Sequence, residues 1–78
     1  MGRQPFTLTH HAHLQMQERS ITVRDVATVL ATYDERTSDD AGNPIFCATV
    51  GRRRVAAVIK RGVAPPRVIT VYVVNESD

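Results

Sequence analysis

Apolar positions along this chain change period once, from helical spacing in the first half to alternation in the second. Between His10 and about Glu18, Ala12 and Met16 stand four apart and form one apolar edge, with Leu8 and Ile21 as core anchors on either side. Thr9 precedes this run and predicts an N-cap, because its hydroxyl can accept from an amide two or three residues on. Ser20 breaks the pattern. Ile21 and Thr22 set a second helix start, with Thr22 as N-cap and Asp25 at N3 as a shortened capping box. Val23, Val26, Ala27 and Leu30 then share one face and Tyr33 continues it, which predicts a helix built for packing.

Asp34 to Asn43 is polar and acidic, and the spacing predicts a loop. Beyond it period two predicts strands over Ile45 to Val50, Arg54 to Lys60 and Arg67 to Val74. The hairpin at Gly51-Arg52-Arg53 and the link Gly62 to Pro66 are too short for a crossover helix, so sequential antiparallel pairing is expected. Val55, Ala57, Ile59, Ile69, Val71 and Val73 are expected to face the helices. Ala56, Val58, Lys60, Thr70, Tyr72 and Val74 fall on the other, partly open face. Residues 1–6 read as a frayed start, although Phe6 and Leu8 have the spacing of a short extended lead. The expected fold is α+β, one domain over residues 1–78, with two N-terminal helices packed on a three-stranded antiparallel sheet.

Composition narrows this picture. Hydrophobic residues make up 42% of the chain, with no Trp and four Phe or Tyr, which is enough for one compact core. A single cysteine, Cys47, excludes an internal disulfide and is expected as a small core residue, since no base is spaced to activate it. With no secretory h-region and no apolar run long enough to span a bilayer, the expected location is the cytoplasm, without a membrane partner. The net charge of +2 is unevenly spread. Arg52, Arg53 and Arg54 are consecutive and Lys60, Arg61 and Arg67 flank a turn, whereas Asp34, Glu35, Asp39 and Asp40 share the acidic loop. Such arginines track phosphates as readily as they solvate a turn.

The first helix also carries chemistry. His11, Gln15 and Arg19 recur at spacings of four and so project from one face, a polar and titratable stripe. His10 and His13 lie one turn apart, but no Cys, Asp or Glu cluster stands at ligand spacing with them, and neither a metal site nor a cofactor is expected.

The run Phe6-Thr7-Leu8-Thr9, His11-Ala12, Met16, Arg19 and Ile21, then Val26 and Leu30, then Val68-Ile69-Thr70-Val71-Tyr72, resembles the small bacterial DUF4258 domains, which are grouped with the RelE/ParE-like toxin superfamily. The resemblance covers nearly the whole chain. It departs at Gln15, where the pattern has an arginine. It implies a helix-helix-sheet fold of the RelE type, with RNA cleavage or gyrase targeting as parent functions.

The expected function is therefore a toxin-like endoribonuclease that cleaves RNA, ribosome-bound mRNA included, without a metal. In that reading His11 acts as base or acid, Arg19 holds phosphate, and Tyr72 stacks on a base or donates a proton. Arg52, Arg53, Arg54, Lys60, Arg61 and Thr70 would extend the nucleic-acid contact. A cognate antitoxin would cover the Tyr72 face, and an exposed sheet edge makes a homodimer an expected assembly. The alternative, to which the missing arginine at Gln15 points, is a nucleic-acid or protein binding module without chemistry.

Overall fold

A computed structural model describes residues 6–76. Helix α1 spans His10–Arg19 and α2 spans Val23–Thr32. Both begin as their caps dictate. The Thr9 hydroxyl accepts the Ala12 amide at 3.1 Å. At Thr22 the capping box is complete, the Asp25 amide donating to Thr22 Oγ1 at 3.1 Å and the Thr22 amide to Asp25 Oδ2 at 3.0 Å. Ser20, in the left-handed region at φ 56°, ends α1 and turns the chain so that the Ile21 amide reaches the Met16 carbonyl at 2.8 Å.

The strands are β1 (Thr7–Leu8), β2 (Glu35–Ser38), β3 (Pro44–Val50), β4 (Arg53–Ile59) and β5 (Arg67–Glu76). They form one mixed sheet in the order β1-β5-β4-β3-β2, with β1 parallel to β5 and every other pair antiparallel. The expected three-stranded antiparallel sheet is thus corrected to a five-stranded mixed one. Two extra strands account for the difference. Thr7–Leu8 pairs with Arg67–Val68, a contact made across almost the whole chain that no local pattern announces; residues 1–5 of the expected frayed start lie outside the described residues, but Phe6 is buried. Glu35–Ser38, inside the expected acidic loop, pairs with Pro44–Cys47.

A polar bracket closes the turn after β2. Asp39 Oδ1 accepts the amides of Ala41 and Asn43 at 3.0 and 2.8 Å, while the buried Asn43 side chain donates to Asp39 Oδ2 and accepts the Arg61 amide at 2.9 Å. Asn43 thereby ties the β2–β3 turn to the β4–β5 connection. Gly42 sits in this turn at φ +85°, where an added Cβ would meet the Arg61 guanidinium at 2.9 Å.

Both helices cover one face of the sheet. Ala12 and Met16 of α1, Val26 and Val29 of α2, and Phe6 and Ile21 pack on Val55, Ala57, Ile59, Val68 and Val71. Here Val68 takes the core place expected of Ile69. Ile59 pairs with Val68 but Val58 with Thr70, so Ile69 is the extra residue of a bulge and the alternation slips by one. Among the described residues the other face of the sheet carries no helix.

Candidate functional site

One cross-strand row on the uncovered face runs Glu35, Cys47, Ala56, Tyr72, each residue directly opposite the next on β2, β3, β4 and β5. Directly opposed residues share a face, so the row has long side chains at its ends and short ones in the middle. A hollow of about 150 Å³ results, floored by Cys47 and Ala56 and walled by Glu35, Tyr72 and Val74, with Thr37 and Ile45 below. Three strand spacings of about 4.8 Å put the two ends roughly 14 Å apart at Cα. Cys47 is buried as expected, but in the floor of this groove rather than beneath the helices.

Arg54 stands at one end of the groove. Its guanidinium meets both carboxylate oxygens of Asp34 at 2.9 Å, Thr49 Oγ1 at 3.0 Å and Glu35 Oε1 at 3.3 Å. Hydrogen bonding from Arg54 holds the Asp34 carboxyl below its ordinary value of 3.8, and the same bond raises the Arg54 guanidinium above its usual range. The Asn43 amide, followed by its side chain, lowers Asp39 likewise.

The shifts of the two carboxyls, Asp34 and Asp39, carry a sign. A carboxyl whose folded pKa lies below its unfolded one adds stability above the unfolded value and loses it as pH falls through the folded value. The thermal midpoint is therefore expected to drop as pH is lowered below about 3.8, and Asp34→Asn with Asp39→Asn to flatten that acid limb in calorimetric scans. An acid limb unchanged in the double variant would remove the two carboxylates as its cause.

The consecutive arginines part company at β4. Arg53 turns to the helix side and donates to the carbonyls of Arg19 and Ser20, capping the C-terminus of α1. Arg54 turns to the groove. Arg52 is exposed in the two-residue hairpin turn, and Lys60 and Arg61 are exposed at the far end of β4, about 20 Å away along the strand. The six residues expected to bind nucleic acid thus do not form one track. Thr70, half-buried opposite Val58, lies on the groove face one step along β5 from Tyr72's row.

Helix α1 runs beside the outer edge of β5. Thr9 begins it, its amide on the Val68 carbonyl and its hydroxyl on that of Ile69 at 3.4 Å, and Gln15 Oε1 accepts the Val71 amide at 2.9 Å. The stripe's middle member therefore closes a strand edge. His11 and Arg19, one turn before and after it, are exposed and stand about 12 Å apart along the axis. Tyr72, on the same strand, opens to the opposite face. The three expected catalytic residues therefore flank β5 without converging in one pocket.

Asp34 and Glu35 were legible only as members of an acidic loop, and Thr37 not at all, because the segment has no apolar residue to mark it as a strand. Among the described residues no group of three or more His, Cys, Asp or Glu stands together to hold a metal ion, and no helix is long and apolar enough to cross a membrane.

The family model described as "Domain of unknown function (DUF4258)" matches residues 8–73, from the end of β1 into β5. Neither the curated proteins nor the solved structures contain a match to the chain.

Proposed function

Starting from the fact that the chain belongs to the DUF4258 family, we propose that it is a toxin-like endoribonuclease, allied to the RelE/ParE-like toxin superfamily, that cleaves RNA without a metal. One observation carries the reading: the titratable stripe of α1 and the Tyr72 groove flank the same strand, β5. A single RNA strand crossing that strand would have its backbone beside His11 and Arg19 and a base in the groove. Single-stranded RNA suits this arrangement, since its unstacked bases can be splayed into a pocket and bordered by an aromatic ring.

In the cleavage step the His11 imidazole takes the proton of the 2′-hydroxyl as O2′ bonds to phosphorus. The bond from phosphorus to the 5′ oxygen breaks, and that oxygen leaves with a proton from solvent, giving a 2′,3′-cyclic phosphate and a 5′-hydroxyl. Arg19 offsets the charge gathering on the phosphate. A cognate antitoxin fits this reading as the partner that covers the Tyr72 face.

The test is RNA integrity in a translating extract given the purified chain, beside His11→Ala and Arg19→Ala variants shown to be folded by circular dichroism. The wild type is expected to cleave, and His11→Ala to lose about 10²–10⁴ in rate. Intact RNA in all three would end the proposal.

A second reading, a nucleic-acid or protein binding module without chemistry, is favoured by Gln15, which stands where the resembled pattern has an arginine and accepts the Val71 amide. It predicts binding by the wild type that His11→Ala leaves unchanged.

A further inference from the structure

We infer that Glu35 makes the groove a guanine site, so that the RNA acted on is selected by one guanine base. The inference rests on the RNA reading above and adds the substrate's identity at one position.

The row supplies the argument. Between Glu35 and Tyr72 the floor is Cys47 and Ala56, two short side chains, so a flat ring can lie across β3 and β4. The hollow of about 150 Å³ is below the usual range of drug-sized pockets, roughly 300–1,000 Å³, and suits a single base. Its floor is apolar and stacks on a base face without regard to sequence. Selection must then come from the ends of the row.

At one end stands a carboxylate held by a guanidinium. Arg54 meets Glu35 at Oε1, and among the described residues it is the one donor to that carboxylate. Because Arg54 is itself clamped by Asp34 and Thr49, it stands as a support behind Glu35 Oε1 and leaves Oε2, with the second lone pair of Oε1, for a ligand. An ionised carboxylate only accepts hydrogen bonds, and two parallel donors are its best complement.

Among the four RNA bases, guanine alone places two donors side by side on its Watson–Crick edge, the ring N1–H and the exocyclic N2 amine. Adenine and cytosine each set an acceptor beside their amine, and uracil flanks its single N–H with two carbonyls. Those three bases therefore give Glu35 one donor at most, and a second contact on the same edge sets a lone pair against the carboxylate. A good bidentate pair discriminates between bases by about five- to 150-fold.

The experiment is a titration of the isotope-labelled chain with 3′-GMP, 3′-AMP, 3′-CMP and 3′-UMP, followed by amide NMR. The expected result is movement of the Cys47 and Ala56 signals, tightest binding of 3′-GMP by about five- to 150-fold, and loss of that preference in Glu35→Gln. Glu35 is exposed, and Arg54 keeps Asp34 in that variant, so the fold is retained. Equal binding of all four nucleotides would overturn the guanine site and leave the RNA reading standing. No movement of the groove signals would overturn the site directly. Mapping of RNA ends separates the two claims further, because cleavage placed without regard to guanine sinks the specificity alone.

Discussion

Truncating Phe6 to Ala is expected to lower the unfolding free energy by about 3–5 kcal/mol, much of the roughly 4–12 kcal/mol that a chain of this length holds. Phe6 is 3% exposed, and its ring lines an apolar hollow of about 260 Å³ with Ala27, Leu30 and Ala31 of α2 and Pro66 of the β4–β5 connection. The ring joins three segments that are distant in sequence. It also fixes β1, a strand of two residues whose backbone hydrogen bonds, such as that from the Thr7 amide to the Pro66 carbonyl at 2.9 Å, contribute only about 0.5–1.5 kcal/mol each. Urea unfolding is the measurement, with hydrogen exchange at the Thr7 and Thr9 amides reporting on β1. Phe6→Leu, which refills most of the space, is expected to lose clearly less. Wild-type stability in Phe6→Ala would show that β1 holds without its anchor.

That anchor marks where local pattern stops being informative. Thr9, Thr22, Asp25 and the apolar faces of both helices were legible because caps and helical periodicity act over a few residues. The three longer strands were legible from alternation. Of β1 only the extended lead was legible, from the spacing of Phe6 and Leu8; its pairing was not, because the partner lies at the other end of the chain. β2 was not, because Glu35-Arg36-Thr37-Ser38 has no apolar residue to alternate. It exists because β3 offers an open edge, Arg54 binds Asp34 and Glu35, and Arg36 lies 5.6 Å over the Phe46 ring. The bulge at Ile69 was also invisible, since it is set by pairing with β4 and not by composition.

The site was partly legible. Tyr72 and the open face followed from alternation, whereas Arg52, Arg53 and Arg54 read as one basic run although period two sets Arg53 and Arg54 on opposite faces. Neighbours on a strand point to opposite faces, which is why one arginine caps a helix and the other supports a carboxylate. Glu35 was hidden with β2, and a groove that spans four strands appears only once the register places its short residues in line.

Replacing Gln15 by Arg is expected to cost about 1–3 kcal/mol, or about 4–8 °C of thermal midpoint per kcal/mol lost in a domain of this size. The half-buried Gln15 side chain is the acceptor for the Val71 amide at the edge of β5. Arginine has five donors and no acceptor, so it leaves that amide unmet and sets a donor against a donor. Gln15→Leu is expected to lose a similar amount, which separates the missing acceptor from the added charge. Gln15→Glu keeps an acceptor, and an ionised one bonds an amide more strongly, so this variant is expected to match or exceed the wild type at neutral pH. An order in which Arg holds and Glu falls would make charge, not the edge bond, the controlling factor. If the predicted order is found, a family member with arginine at this place must close its strand edge with another acceptor. The departure at Gln15 is then a change in how the sheet is finished, and His11 and Arg19 are the exposed members of the stripe.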